Sequence, residues 1–439
     1  MDGIFGSIIS FIIALSVVVA IHELGHLFAA KLFGIGVTRF SIGFGKRLFG
    51  IRIGETDYCV SMIPLGGYVR LAGDESLDKL VAEPKHLNSH PIWQRIIVFL
   101  AGPLANLILA MLILFVINVS GYDELRFEPA IGAVEEDSAA AEAKLEVGDY
   151  LVSINGTAVE SWNDVSRLIV LGSGAELELV LNRDGEELTV FAMPKLNPET
   201  GMGQLGIRPA VDSRLSTVTE VGEELGLRTG DRIVGLGEWA VKDAYDFDAA
   251  LREVIGELDA EALAETESIP LLLERNGEQM EVAIPPLNLT VSERAFTLGG
   301  EEIHVSLDPL TSIGMAAAQT VSQAGEIYQV LYLLISQRMP ASKAIGGAIS
   351  IAAASGKMAE AGLTIFLRFV AYLSVMLGVM NTLPIPILDG GHISLLILEK
   401  IRRKPLSLRS RQIVQLAGLA IIIFITFFGL YADISRLLS

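Results

Sequence analysis

The stretch His22-Glu23-Leu24-Gly25-His26 stands directly behind an apolar run that extends from Gly3 to Ala20. Residues four apart lie on one face of a helix, so the two imidazoles can bind one metal ion while Glu23 beside them carries a proton. The apolar run is long enough for its helix to cross a bilayer. The stretch therefore predicts the ligand pair of a catalytic metal centre inside a membrane-spanning helix.

The composition is that of a membrane protein with several spans. Hydrophobic residues make up 51% of the 439 residues, which is more than a water-soluble protein of this length needs. Four stretches are apolar enough to span a bilayer, namely 4–32, 96–119, 363–383 and 413–430. We therefore expect a multi-span α-helical membrane protein with four transmembrane helices. The first is read as a retained span, because it lacks the basic start and the cleavage site of a signal peptide.

Charge is distributed unevenly along the chain. The net charge is −19, and residues 120–310 carry 39 of the 52 acidic residues but only 13 of the 33 lysines and arginines. This acidic section is expected to be water-soluble, and its charge argues against a nucleic-acid partner. Basic residues cluster between spans one and two and between spans three and four, so both loops are expected in the cytoplasm. The termini and the acidic section then lie outside, in the periplasm if the membrane is a bacterial inner membrane.

A third metal ligand is expected where the third span ends. Asp389 follows Pro384 and Pro386, which cannot continue a helix, and an uncompensated carboxylate at the edge of the hydrocarbon is costly. Spans one and three enter from the same side, so Asp389 and the histidine pair reach the same face of the membrane. Two histidines, one aspartate and a water form the usual catalytic zinc site, in which the pKa of the water falls to about 7 and Glu23 acts as general base. The single cysteine, Cys59, excludes an intrachain disulfide and a cysteine-based metal site.

These motifs together resemble the site-2 protease family of intramembrane zinc metalloproteases, and most of all its bacterial RseP type. The resemblance covers nearly the whole chain. It is carried by the HELGH motif, by the segment from Asn381 to Gly390 in the family's NxxPxPxLDG form, by Ala101-Gly102-Pro103-Leu104-Ala105-Asn106 in the second span, and by the four-span layout with a large outer insert. It implies that His22, His26 and Asp389 bind Zn²⁺, that Glu23 is catalytic, and that the reaction is hydrolysis of a peptide bond within the membrane.

The segment after the first span is expected to form a membrane-associated region of β-hairpins with bulges. Residues 39–45 and 58–71 are rich in strand-forming residues and are interrupted by glycines. An exposed strand edge can hold an unwound substrate by main-chain hydrogen bonds. The alternative is an ordinary cytoplasmic hairpin. The family resemblance implies substrate contacts by Gly43, Phe44, Gly45, Asn381 and Pro384, and a supporting role beside the metal ligands for Asn106.

The acidic section contains an internal repeat with a constant offset of 82 residues. The repeat aligns Leu145, Gly148, Asp149, Leu151, Ile154, Val159 and Asp164 with Leu227, Gly230, Asp231, Ile233, Leu236, Val241 and Asp246. Its pattern resembles the PDZ family and implies two α+β PDZ-like domains, at 129–196 and 205–287, inserted between spans two and three. PDZ grooves bind extended peptides or C-terminal carboxylates by strand addition, so the tandem is expected to sense or exclude substrate. The alternative is a steric cap that binds no ligand.

The remaining segments complete the expected organisation. Residues 310–339 are too polar to span and are expected to form an interfacial amphipathic helix, followed by a glycine-rich turn at 346–350. His392 is expected at a helix start or beside the metal ligands, whereas the other three histidines are expected to be surface or loop residues without a role. The full expected order is 1–33 (first span with HExxH), 34–95 (cytoplasmic-side hairpins), 96–119 (second span), 129–196 and 205–287 (PDZ-like domains), 310–339 (interfacial helix), 363–391 (third span with NxxPxPxLDG) and 413–430 (fourth span).

Three classes of function fit parts of this pattern. A membrane scaffold or chaperone would use the repeat, but it has no need for Glu23 or Asp389. A metal transporter would be expected to line a path with ionisable residues across the spans, whereas the sequence places them at one end. The resemblance implies a zinc-dependent intramembrane endopeptidase acting in an envelope stress response. Its implied partners are the lipid bilayer, peptide ligands of the PDZ grooves, and single-pass substrates, namely an anti-sigma factor already shortened by a first protease and remnant signal peptides.

Overall fold

The chain divides into a helical unit and a strand-rich unit. The computed structural model describes residues 2–72, 85–196, 203–256, 268–289, 295–336, 347–404 and 407–438. The helical unit, called the membrane unit from here on, comprises Met1–Tyr122 and Ser306–Ser439, and the strand-rich unit comprises Asp123–Val305.

Four long apolar helices belong to the membrane unit. In chain order the helices of both units are α1 (Asp2–Leu32), α2 (Ile92–Ser120), α3 (Ala139–Glu142), α4 (Trp162–Leu171), α5 (Glu220–Glu224), α6 (Ala244–Gly256), α7 (Pro309–Ile335), α8 (Ala348–Glu360), α9 (Leu363–Thr382), α10 (Asp389–Arg402) and α11 (Leu408–Leu438). Two 3-10 turns lie at Leu87–Ser89 and Pro286–Leu289. By length and composition four of the helices contain candidate membrane spans, at Phe5–Leu32, Ile92–Ser120, Leu363–Thr382 and Gln412–Ser435. Within the described residues, the expectation of four membrane helices is confirmed.

Close contact between helices α1 and α2 depends on glycine. A methyl group at Gly25 would collide with the backbone carbonyl of Ala101, so the two helices touch backbone to backbone at this point. Helix α9 joins the same bundle, because Ser374 Oγ donates a hydrogen bond of 2.8 Å to the backbone carbonyl of Asn106. Helices α1, α2 and α9 therefore form the frame in which the histidine pair sits.

Helix α7 covers the segment for which an interfacial helix was expected. Asp308 caps its start by accepting hydrogen bonds from two backbone N–H groups of the first turn. Ala316 and Ile327 are buried in a cluster with side chains of α2 and α9, whereas Leu310 is exposed. The described part of segment 310–339 therefore packs against the bundle, a contact that the sequence did not predict. Residues 337–339 lie outside the described residues.

The glycine-rich stretch 346–350, expected as a turn, is largely helical. Gly346 lies outside the described residues, and α8 begins at Ala348 with Gly347 at the capping position. Glycine offers no side-chain cap, but the carboxylate of Asp433 in α11 accepts hydrogen bonds from three backbone N–H groups at this helix start. The expectation of a turn was wrong because a carboxylate far along the chain, which the local sequence does not reveal, satisfies the helix end.

Strands β1 (Val37–Ile53) and β2 (Thr56–Leu71) form an irregular hairpin between α1 and α2. Phe40 pairs with Val69 on one side and with Tyr58 on the other, so the first part of β1 lies inside the sheet. Among the described residues, the last part of β2 pairs on one side only and forms an edge. Repeated register shifts interrupt the pairing, as the glycines in these strands predict.

Most of the remaining strands form two copies of one arrangement. In chain order the remaining strands are β3 (Tyr122–Arg126), β4 (Ile131–Val134), β5 (Tyr150–Ile154), β6 (Thr157–Ala158), β7 (Leu177–Arg183), β8 (Glu186–Ala192), β9 (Lys195–Leu196), β10 (Gly203–Gln204), β11 (Ile207–Pro209), β12 (Leu215–Val218), β13 (Arg232–Leu236), β14 (Trp239–Ala240), β15 (Ile269–Arg275), β16 (Glu278–Ile284), β17 (Phe296–Leu298) and β18 (Glu301–Val305). Strand β3 pairs with β18, and β9 pairs with β10, in separate two-stranded sheets. Two four-stranded sheets have the equivalent orders β6-β5-β7-β8 and β14-β13-β15-β16. The repeat in the sequence therefore corresponds to two structural copies.

The core of each copy extends beyond the predicted limits 129–196 and 205–287. Leu205 is buried in the core of the first copy, and Phe296 is buried in the core of the second. The strand that completes each copy comes last in the chain, because β11 pairs with β4 and β17 pairs with β12. The boundary between the copies therefore follows Pro209.

Each copy contains one buried aspartate held by an arginine. Arg183 Nε donates to Asp149 and Arg275 Nε donates to Asp231, both at 2.6 Å, and the second guanidinium bond is 2.7 Å long in both copies. The aspartates follow the 82-residue offset, but the arginines are 92 residues apart. The sequence comparison therefore found one partner of each pair and missed the other.

Candidate active site

Three side chains from distant parts of the sequence converge beside α1. The Nε2 atoms of His22 and His26 lie 3.1 and 3.3 Å from Asp389 Oδ2 and 3.1 Å from each other. Both imidazoles are buried, and Asp389 Oδ2 is buried without a hydrogen-bond partner among the described residues. A buried carboxylate oxygen that faces two ring nitrogens and lacks a donor needs a cation. The arrangement is therefore that of a metal site.

The spacing of these donor atoms fits a zinc ion. Ligand atoms about 2.0–2.1 Å from a tetrahedral ion are about 3.3 Å apart. The three edges of the observed triangle, 3.1, 3.1 and 3.3 Å, are close to this value. Three protein ligands leave the fourth position of a tetrahedral ion open, as in catalytic zinc sites.

A strained turn delivers Asp389 to the histidines. Helix α9 ends at Thr382, and α10 begins at Asp389 after a turn that contains two prolines. Ile387 in this turn has a φ of 85°, a left-handed conformation that costs a β-branched residue about 1–3 kcal/mol. A methyl group at Gly390 would collide with the backbone carbonyl of Thr382. The LDGG sequence thus allows the turn to fold tightly onto the start of α10.

Glu23 lies between the metal ligands and the edge of the β1–β2 sheet. Its carboxylate lies near the backbone N–H of Val69, and it is close enough to the histidines and Asp389 to interact with their charges. A methyl group at Gly67 would be 3.4 Å from Glu23 Cγ, an ordinary contact distance, so this part of β2 lies beside the glutamate. The strand edge therefore runs directly past Glu23.

One stripe of helix α2 faces both imidazoles. Val98, Gly102 and Asn106 are four residues apart and share a helix face. His26 Nδ1 is 2.7 Å from the Val98 carbonyl oxygen, and His22 Nδ1 is 3.3 Å from the Asn106 side-chain amide. A methyl group at Gly102 would lie 2.8 Å from His22 Nε2 and closer still to His26 Nε2. The Nε2 atoms of His22 and His26 therefore have room to face Asp389 only because position 102 is glycine.

The five expected substrate residues lie outside the cluster of metal donors. Gly43, Phe44 and Gly45 lie within β1, where the Phe44 ring stacks on Tyr68 of β2 with the centroids 6.1 Å apart. Asn381 Nδ2 donates to the carbonyl of Leu377 in its own helix at 3.0 Å, and Pro384 is exposed in the turn after α9. Phe44 therefore contacts β2, the strand that passes Glu23.

A polar cavity of about 410 Å³ lies beside Asp389. Its lining includes Arg95, Glu399, Gln415 and His392, whose ring stacks on Phe99 with the centroids 4.7 Å apart. Water thus has room next to the carboxylate, and His392 lies one turn after Asp389 in α10.

Sequence reasoning missed three features of the site. The carbonyl of Val98 leaves no trace in the sequence, because any residue would supply it. Gly67 and Val69 belong to a stretch whose pattern indicates a hairpin, and nothing in that pattern connects them with Glu23. The four-residue spacing from Val98 to Asn106 was a usable signal, since it matches the spacing of the two histidines on the facing helix.

Comparison with known proteins agrees with this geometry. The pattern of peptidase family M50 matches residues 10–425. A protein of Neisseria meningitidis, named as a candidate zinc metalloprotease, is 33% identical over 99% of this chain and 100% of its own length. The regulator of sigma E protease of Haemophilus influenzae is 32% identical, and regulator of sigma-E protease RseP of Escherichia coli is 31% identical, each covering 98% of both chains. A solved PDZ domain of Listeria monocytogenes matches 18% of this chain and 84% of its own at 20% identity and a TM-score of 0.17. The chain belongs to peptidase family M50, the site-2 protease family, and is a zinc metalloprotease.

Proposed function

We propose that the protein is an intramembrane endopeptidase that hydrolyses single-pass membrane proteins near the cytoplasmic face of a bacterial inner membrane. The observation that carries this proposal is the position of Glu23, between three converging metal donors and an open strand edge. A metal site for transport or for structural support has no use for a carboxylate placed beside the ligands.

In the proposed reaction, His22, His26 and Asp389 hold the ion. Bound zinc supplies a Lewis acid that polarises the scissile carbonyl and lowers the pKa of water to about 7. Glu23 takes the proton of the attacking water and delivers it to the leaving amine. The nearby N–H group of Val69 is proposed to hold the Glu23 carboxylate in place while the proton moves.

The substrate is proposed to bind as an added strand. A peptide bond inside a helix is covered by neighbouring turns, so the span to be cut must unwind before it reaches the metal. Among the described residues, Gly67–Val69 pair with β1 on one side only, so an extended segment can be added along their other side, and this edge passes Glu23. Gly43, Phe44, Gly45, Asn381 and Pro384 are proposed to contact the same segment from the β1–β2 hairpin and the turn after α9.

The strand-rich unit is proposed to control access. Its two copies would be PDZ-like domains in the periplasm, inserted between spans two and three, with both termini on the same side. They would act as a filter that admits substrates only after the outer part has been shortened. Because two relatives are named regulators of sigma-E protease, we assign an anti-sigma factor trimmed by a first protease, and remnant signal peptides, as the substrate class.

Replacement of Glu23 by Gln tests the proposal. The purified full chain is reconstituted in liposomes with a single-span reporter that has a short outer segment, and zinc is measured by elemental analysis. We expect about one zinc per chain in both proteins, cleavage by the unchanged protein, and a loss of about 10²–10⁴-fold in rate for the variant, because the proton carrier is gone. Cleavage by the variant at the rate of the parent, or a parent without zinc, would overturn the proposal.

The same measurements separate the other two classes of function. A scaffold would bind the reporter equally well with Gln at position 23 and would never cut it. A transporter would move zinc across the liposome membrane, with or without the reporter. A reporter whose outer segment carries a folded domain tests the filter, since we expect its cleavage to fall while cleavage of the short reporter continues.

A further inference from the structure

We infer that the Asn106 side chain orients His22 for zinc by accepting a hydrogen bond from His22 Nδ1–H through its amide oxygen. This inference deepens the proposed function and rests on it, since it assumes that His22 binds the ion through Nε2. It assigns Asn106 as a positioning residue on helix α2.

His26 shows what a zinc-binding imidazole needs in this site. A backbone carbonyl can only accept, so the 2.7 Å contact between His26 Nδ1 and the Val98 oxygen requires the proton on Nδ1. The lone pair is then on Nε2, the atom that faces Asp389 Oδ2 at 3.3 Å. Helix α2 thereby fixes both the protonation pattern and the direction of this ring.

His22 faces the same requirement with a side chain in place of the carbonyl. Its Nε2 lies 3.1 Å from Asp389 Oδ2, so its Nδ1 must carry the proton for zinc to bind. The amide nitrogen of Asn106 lies 3.3 Å from that Nδ1, and two N–H donors facing each other cannot bond. Oδ1 of the same amide is buried without a partner, and the whole residue is inaccessible to solvent.

A rotation of the amide by 180° resolves this conflict. The oxygen and the nitrogen of an amide have nearly the same size, so the exchange requires no extra space. It turns the unsatisfied oxygen toward His22 Nδ1–H and leaves Nε2 with its lone pair for the ion. On helix α2, the Val98 carbonyl then accepts a hydrogen bond from His26, and the Asn106 side chain accepts one from His22. Gly102 lies between these two residues, next to both Nε2 atoms.

Two substitutions of similar size separate a positioning role from a packing role. Asn106→Leu keeps the volume and removes the acceptor, whereas Asn106→Asp keeps an acceptor and adds a charge. If Asn106 orients His22, zinc affinity falls about 10–100-fold in the Leu variant and stays within about threefold of the parent, or rises, in the Asp variant. If Asn106 only fills space, the order reverses, because a buried carboxylate disturbs packing more than Leu does.

The matched control is Asn118→Leu on the same helix. Asn118 is also buried, but it donates to Gln319 Oε1 at 3.3 Å, so its loss should leave zinc affinity unchanged. Affinity is measured on the full chain by competition with a chelator, and the visible spectrum of the Co²⁺ form reports ligand geometry. Thermal unfolding of the metal-free proteins checks folding. If the Leu variant does not fold, Asn106→Ala replaces it, with the same order expected.

The outcomes distinguish this inference from the proposed function. A parent that holds no zinc overturns the proposed function. A parent that binds zinc and loses cleavage on Glu23→Gln, together with a Leu variant within threefold of the parent or an Asp variant weaker than the Leu variant, overturns only the role of Asn106. A Leu variant with reduced zinc affinity and an altered Co²⁺ spectrum, beside an unaffected Asp variant, supports it.

Discussion

Asp231 in the strand-rich unit is fully buried and Asp389 in the membrane unit is largely buried, but the surroundings of the two carboxylates are opposite. Asp231 receives two hydrogen bonds from Arg275 and one from the backbone N–H of Arg228, so the chain itself balances its charge. Asp389 Oδ2 faces two imidazole nitrogens and has no donor among the described residues. The protein itself supplies every partner that the Asp231 carboxylate needs. The Asp389 carboxylate requires a cation from outside, and this difference separates a structural aspartate from a functional one.

Replacement of each aspartate by asparagine is the most direct test of the difference between the two sites. In Asp389→Asn, zinc affinity should fall on the order of 10²–10³-fold, because a zinc site gains about 10–16 kcal/mol from its ligands together. Peptide hydrolysis should be lost with it. In Asp231→Asn, zinc affinity should not change, while the strand-rich unit unfolds at a lower temperature. Chelator competition and thermal unfolding of both variants measure the two effects, and a loss of zinc in Asp231→Asn would refute the distinction.

Gly102→Ala tests how closely helix α2 packs against the two histidines of the metal site. The added methyl group would push against Nε2 of both histidines, so we expect zinc affinity to fall about 10–100-fold. Gly6→Ala in α1 is the control, because nothing lies within 4 Å of a methyl group there and affinity should be unchanged. Equal zinc affinities in the two variants would show that the histidines can move aside.

Removal of the arginine partner tests how much the structural aspartate depends on its ion pair. Arg275→Ala leaves Asp231 buried without its cation, which should lower the free energy of unfolding by about 3 kcal/mol, at the lower end for buried pairs because the Arg275 side chain is 19% exposed. Arg183→Ala in the first copy should behave alike. Chemical denaturation of the full chain, followed by tryptophan fluorescence, measures both. A change below about 1 kcal/mol in either copy would contradict the assigned role of these pairs.

Acidification should produce the smallest effect. Burial alone would raise the pKa of Asp231, but the hydrogen bonds from Arg275 and from the Arg228 N–H hold it below its ordinary value. A carboxyl group whose pKa is lowered by folding stabilises the protein fully above the unfolded-state value of about 3.9, and this stabilisation is lost as the pH falls through the folded-state value. The difference in unfolding temperature between the parent and Asp231→Asn should therefore shrink below about pH 4. A difference that stays constant with pH would exclude this linkage.

The sequence predicts those parts of the molecule that depend on spacing. Two histidines four residues apart, a proline-interrupted span end and a constant offset of 82 residues identify a metal-binding pair, the approach of Asp389 and two repeated domains. Contacts that the backbone makes, or that distant residues supply, leave no such pattern. The Val98 carbonyl on His26 and the arginine partners of the repeat aspartates belong to this second group. Domain limits failed for a related reason, because the strand that completes each copy follows a stretch without recognisable periodicity.

The capping of α8 by Asp433 has a consequence for the order of synthesis. The first N–H groups of this helix obtain their acceptor from a residue 86 positions later in the chain than Gly347. While the chain emerges from the ribosome, α8 can be made and can meet α1, but its start lacks its hydrogen-bond partner until the last span has been inserted. The start of α8 thus obtains its acceptor only when the final helix is in place, and a chain that stops before position 433 leaves these N–H groups without it.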